Sequence, residues 1–207
     1  PLFNTINGGI VKNIILDNVD IPSGGTNVGA ICGEATGNSR IYNCGVLATG
    51  STVTKDKDGY DVITSCGSTI NGSGYVGGIV GLLDGSSRVI NCFSYANITG
   101  GDYRGGIVGK NNVATNATNL QTMVMNCMFY GEINTEGNPT QIAPIYGGQM
   151  ITNDGDANGV NNFNYFWAGA SYVQGKHINA YNCALSAETR FLQRFEFFRH
   201  LLNSNRE

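Results

Sequence analysis

The chain carries one internal unit several times over, and that unit constrains its fold more than any other feature. YVGGIVGLLDGSSRVINCFSYANITG occupies Tyr75 to Gly100. YRGGIVGKNN restarts the pattern at Tyr103, an insertion rich in Asn and Thr follows, and MVMNCMFYGEINTEG completes it. Upstream, NVGAICGEATGNSRIYNCGVLATG (27–50) keeps the same order of parts. GGIVKNIILDNVDIPSGG (8–25) keeps the second half, with Ile14 where the others have Cys, and HINAYNCALS (177–186) is a last echo. A unit this short cannot bury a core alone, so its copies must stack.

Each part of the unit has a mechanical reading. The glycine pentads GGIVG (77–81 and 105–109) and GAICG (29–33) let backbones pack closely and turn corners. Asp84-Gly85, Asn111-Asn112 and Gly37-Asn38 are turn chemistry. Ile90, Cys92, Ser94, Ala96 and Ile98 alternate as small or apolar residues, matched by Met125, Cys127, Phe129, Gly131 and Ile133. That period of two predicts one buried strand face. Steps of 22, 26 and 35 residues between Cys44, Cys66, Cys92 and Cys127 fit coils of two or three short strands. An antiparallel sandwich would show hairpin turns without such registered identity. The expectation is an all-β chain: a right-handed parallel β-helix over 1–185, of about six to seven coils spanning roughly 30 Å.

The end of the chain reads differently. Ser186 suits a helix N-cap, and Phe191, Phe195, Phe198 and Leu202 recur on one face, so 186–207 reads as an amphipathic helix. It is expected to cap the β-helix and cover open strand edges; docking of a partner is the alternative use of the same stripe.

Composition narrows the function classes. Charged residues make up only 13% against about 25% in ordinary soluble domains, while the 30 glycines favour turns over helices. A net charge of -3 without any Lys/Arg run argues against nucleic acid. No apolar stretch reaches the length of a membrane span. The opening at Pro1 and the stop at Glu207 read as a piece of a longer protein. Of the six cysteines (32, 44, 66, 92, 127, 183), four follow Asn and none forms C-x-x-C, so no zinc site is expected. Reduced thiols stacked as small hydrophobes are favoured over disulfides.

With the unit spelled out, the chain resembles the bacterial GLUG-motif repeat proteins. YVGGIVG…VINCFSYANITG and YRGGIVG…VMNCMFYGEI carry the pattern, and NVGAICG…IYNCGVLATG carries it more loosely, with Ala30 and Cys32 replacing Gly and Val. The resemblance covers roughly residues 8 to 138, and the tail from Cys183 resembles segments of surface proteins of Bacteroides-type bacteria. It implies an extracellular or cell-surface location, adhesion or host interaction, and no catalytic residues.

Candidate sites follow from residue chemistry. The pentads fail as dinucleotide fingerprints because LLDGSS, a turn, follows where a helix should begin. Asp154, Asp156 and Asn158 open like a calcium loop, but Tyr165 stands where its closing Glu belongs, so a polar surface turn competes with a calcium site. Asp56-Lys57-Asp58-Gly59-Tyr60-Asp61 is a weaker version. No organic cofactor is expected. His177 and His200 are the only histidines, and carboxylates do not recur in register, so catalysis is not expected. Tyr75 and Tyr103 precede consecutive pentads and are placed to stack. Phe93 and Tyr95 alternate with the buried face and should point outward, and Trp167 lies in the aromatic run NNFNYFWAGASY (161–172). These three are the expected ligand contacts, although a cluster at 163–172 also suits core packing. The leading reading is a non-catalytic surface module that binds a host or polysaccharide ligand. A glycosidase or polysaccharide lyase domain and a structural spacer are the alternatives.

Overall fold

A computed structural model describes residues 1–55, 57–59, 61–112, 123–134, 136–137, 141–147, 164–167 and 183–186. Among them there is no helix, and the strands stack into five parallel sheets with a solenoid-like architecture. The first sheet holds Phe3–Asn7, Cys32–Thr36, Val80–Leu83 and Val108–Asn111. Ile10–Lys12, Arg40–Tyr42, Arg88–Ile90 and Met123–Met125 form the second. The third holds Ile15–Asp17, Gly45–Leu47, Phe93–Ser94, Met128–Phe129, Asn164–Trp167 and Cys183–Ser186. Asp20–Ile21, Thr69–Gly72 and Asn97–Gly100 form the fourth, and Asn27–Gly29, Tyr75–Gly77, Tyr103–Gly105 and Gln141–Ala143 the fifth.

The register shows what the repeat encodes. Tyr75 lies beside Tyr103 and Val80 beside Val108, each pair 28 residues apart. Cys32 lies beside Val80, a step of 48 residues, because the antiparallel hairpin Thr52–Lys55/Asp61–Ser65 is inserted between the third and fourth sheets. Cys66 is therefore not a coil marker, contrary to the reading of the Cys44, Cys66, Cys92 and Cys127 steps as coil lengths. It follows the hairpin and directs its thiol at the Ser68 carbonyl, 3.1 Å away.

Like residues stack on like inside the stack. Val11, Ile41, Val89 and Val124 share one position of the second sheet. Ile21, Ile70, Ile98 and Ile133 share one of the fourth. Ile31, Ile79, Ile107 and Ile145 are buried at the bend between the fifth and first sheets, where backbone hydrogen bonds link each to the next. Each fully buried Ile contributes on the order of 1.5–3 kcal/mol. Cys44, Cys92 and Cys127 are buried at matching points of successive units, and each directs its thiol at the carbonyl two residues earlier, at 3.3 to 3.4 Å. Cys32, Cys44, Cys66, Cys92 and Cys127 are thiols, with no disulfide among them.

The corner before Cys44, Cys92 and Cys127, and before Ile14 in the first copy, is an asparagine with left-handed backbone: Asn13, Asn43, Asn91 and Asn126 have φ of 59°, 54°, 54° and 52°. Asn tolerates this conformation better than other residues with a Cβ. The corner also resets the side-chain phase. Val89 and Val124 are buried whereas Ile90 and Met125 are half-buried, so the inward alternation starts at Cys92 and Cys127, not two residues earlier. Asn111 differs from its turn reading too. It ends a strand, is buried, and lies beside Leu83.

The pentad glycines answer to close approach, since none has a positive φ. A Cβ on Gly77 would meet the Val80 carbonyl oxygen, the Gly109 nitrogen and, at 2.8 Å, the Ile107 carbonyl oxygen. Gly81 faces the backbone of Asn27 and Val28, and Gly106 lies under the Phe129 ring. Backbone thus packs on backbone where the fifth and first sheets fold together.

The last Asn-Cys echo reaches the third sheet in register: Ala184 lies beside Tyr165, and Tyr165 beside Met128. Ser186 ends the strand Cys183–Ser186, and the capping helix expected beyond it lies outside the described residues.

Candidate functional site

The outer surface of the second sheet is built from the alternate residues of four short strands. Ser39 and Ser87 point inward at its edge, where the Ser87 hydroxyl accepts from the Ser39 N–H at 3.1 Å and the Ser39 hydroxyl donates to the Ile6 carbonyl at 2.9 Å. Each neighbouring Arg faces out in consequence. Arg40 and Arg88 are direct register partners on adjacent strands, with Ile10 beside Arg40 on the other side. Two positions along, Lys12, Tyr42 and Ile90 form a second row.

A groove of about 340 Å³ opens over these rows. Arg40 and Arg88 form its cationic part, Ile10, Tyr42 and Ile90 its apolar part, and Asn43 and Asn91 its rim. The Lys12 ammonium lies 5.9 Å from the Tyr42 ring centre. Arg88 Nε is buried and has no hydrogen-bond partner. The strands IVK, RIY, RVI and MVM bring no carboxylate to this face. The rim is held by the corner asparagines: Asn43 Nδ2 donates to Asn13 Oδ1 at 3.2 Å, and Asn91 Nδ2 to Asn43 Oδ1 at 3.4 Å.

Sequence reasoning did not single out Arg40, Tyr42 or Arg88. The signal was present as SRIYNC (39–44) and SRVINC (87–92), in which Ser-Arg precedes Asn-Cys at the same spacing. In the copy that follows, Met123 takes the Arg position.

Of the three aromatic residues expected as ligand contacts, Phe93 and Trp167 lie on strands of the third sheet, and Tyr95 follows the strand Phe93–Ser94. Phe93 does not join the main core. With Met128 it forms a separate apolar cluster, against which Ile15, Leu47, Tyr95 and Tyr130 pack. The Phe93 ring lies over Gly45, its register partner, and is only 4% exposed, which makes it a packing anchor. Tyr95 is half-buried, with ring centres 5.9 Å from Phe93 and 5.3 Å from Tyr130. Trp167 ends the strand Asn164–Trp167 of the same sheet.

Tyr75 and Tyr103 meet edge to face with centres 5.1 Å apart. Lys110 Nζ sits 4.8 and 5.2 Å from the two ring centres and 3.4 Å from the Tyr75 hydroxyl, a cation–π contact that ties neighbouring units together.

The calcium-loop residues Asp154, Asp156 and Asn158 lie outside the described residues. Lys57 and Asp58 sit at the tip of the inserted hairpin and pair with each other at 3.3 Å. Among the described residues, no three His, Cys, Asp or Glu side chains gather closely enough to hold a metal ion, and no helix is long and apolar enough to cross a membrane.

These features define a repeat protein of solenoid-like parallel sheets with a cationic, partly aromatic groove on its outer surface. Compared with known protein families, curated proteins and solved structures, the chain matches none.

Proposed function

We propose that this chain is a non-catalytic binding module of an extracellular or cell-surface protein, and that it holds polysaccharide on its outer face. In this reading the stack is a right-handed parallel β-helix of about six to seven coils, a GLUG-type repeat domain, closed by a helix at 186–207. The observation that carries the binding function is the groove of about 340 Å³ in which Tyr42, Ile10 and Ile90 lie beside unpaired polar groups. Sugars present apolar C–H faces ringed by hydroxyls, and sites that take them join an aromatic or aliphatic platform to a few fixed polar groups. A surface generated by register also suits a polymer, because equivalent positions recur along the stack.

The test is retention of the chain on a panel of immobilised host glycans, mucins and plant and bacterial polysaccharides, run in calcium and in EDTA. Saturable binding to a polysaccharide class, weakened by Tyr42→Ala, is expected. Binding lost in EDTA would instead bring Asp154, Asp156 and Asn158 into the site, and absence of binding across the panel would leave the spacer reading.

A further inference from the structure

We propose that Arg40 and Arg88 form an oxyanion subsite, so that the polymer this face takes is acidic, with carboxylate or sulfate groups on its sugars. The proposal rests on the polysaccharide-binding reading above and narrows it.

The argument begins with register. Arg40 and Arg88 are direct neighbours on parallel strands, which lie about 4.8 Å apart. Like charges placed directly opposite repel. Surface arginines in such a position ordinarily find a carboxylate, yet the strands IVK, RIY, RVI and MVM contain none. Among the described residues neither guanidinium has a hydrogen-bond or ion-pair partner, and Arg88 Nε is buried without one. A buried donor of this kind is costly to leave unmade.

One oxyanion between the two side chains resolves both problems. The guanidinium fork matches a carboxylate or sulfate with two parallel hydrogen bonds, and two forks can share one group. Both arginines line the groove, Arg88 half-buried with its Nε covered and unpartnered, Arg40 exposed. The surroundings favour a sugar as carrier of the anion: Ile10 and Ile90 supply apolar walls and Tyr42 a ring. Lys12, on the next strand of the sheet, lies two positions along from the Arg40–Arg88 row and beside Tyr42, which adds a third cation to this face. The net charge of -3 makes this a local feature, so attraction here does not follow from overall composition.

The experiment measures affinity of the 207-residue chain for alginate (carboxylate), dextran sulfate (sulfate) and dextran (neutral), at low salt and in about 0.5 M sodium chloride, which shortens the reach of charge interactions. Arg40→Gln/Arg88→Gln and Arg88→Lys are compared with the native chain, with thermal unfolding as the folding check; Arg40→Gln alone, at an exposed position, serves if the double variant unfolds early. At least one acidic polymer should bind about tenfold more tightly than dextran and lose about tenfold in the double variant. The stronger acidic arm identifies the oxyanion. Arg88→Lys should weaken binding several-fold despite its retained charge, because the fork is gone. Dextran bound as tightly as the acidic polymers, or acidic binding unchanged in Arg40→Gln/Arg88→Gln, overturns the oxyanion subsite and leaves the polysaccharide reading standing. Failure of all three polymers to bind, together with no binding on the glycan panel, overturns both.

Discussion

Asn91 sits on Asn43 with the same left-handed backbone, φ 54° at both, and its side-chain amide donates to Asn43 Oδ1 at 3.4 Å. One residue type thus sets the corner of each unit and ties it to the next. Asn91→Ala puts an alanine Cβ in the left-handed region and removes the ladder bond, with an expected loss of about 2 kcal/mol. Asn91→Gly removes only the bond and should lose about half as much. Urea unfolding of both variants checks the order; equal losses would mean the backbone conformation contributes nothing.

The pentad glycines give a second prediction. Gly77→Ala drives a methyl group into the backbone of Val80 and Gly109, which cannot swing aside as a side chain would, and should cost about 3 kcal/mol or more. Gly25→Ala meets nothing within 4 Å and should be neutral or slightly stabilising. Comparing the two separates close approach from glycine content as such.

How much of this was legible in the sequence depends on the range of the interaction. The repeat order encodes the parallel sheets because a register partner is a copy of the same position, as with Tyr75 and Tyr103. The phase of the buried face was not legible across Asn91, because period-two reasoning assumes extended backbone throughout. Cys66 and Asn111 were misplaced for a related reason: an inserted hairpin and an insertion beyond Asn112 break the spacing without changing the stack. The groove was missed because its members, at 10, 40, 42, 88 and 90, belong to three separate copies, and only register makes them neighbours.

The buried thiols give a pH prediction. Burial pushes the Cys32 thiol up to about 12, with Cys44 and Glu34 adding to the shift. Cys44 is raised by its hydrogen bond with Cys92 and by burial, and Cys92 by burial first. The folded chain keeps these protons where the unfolded chain releases them. Their contribution is complete below about pH 9 and declines as pH rises toward the folded values, by about 1.4 kcal/mol per pH unit for each thiol. Tm followed by circular dichroism from pH 8 to 10.5 should fall, and Cys44→Ala/Cys92→Ala should flatten the slope. Native alkylation near pH 8 should reach half-buried Cys66 before Cys32, Cys44 or Cys92.

Arg104 replaces the Val76 of the preceding copy at an inward position of the fifth sheet. It is 4% exposed, and burial lowers its pKa while Asp102 raises it. Its guanidinium donates to the carbonyls of Gly100 at 2.5 Å and Gly101 at 3.1 Å, and to that of Asn134. Arg104→Val restores the apolar row but strands those carbonyls, with an expected loss of about 2 kcal/mol in urea unfolding. A neutral or stabilising result would show that packing outweighs the carbonyl contacts at this position.

The most direct test of function is the binding isotherm of the native chain and of Tyr42→Ala on the polysaccharide that the panel selects. A groove that holds sugar against Tyr42 predicts saturable binding, weakened about tenfold by the substitution at unchanged Tm. Saturable binding that Tyr42→Ala leaves intact, or no saturable binding to any polymer, would contradict it.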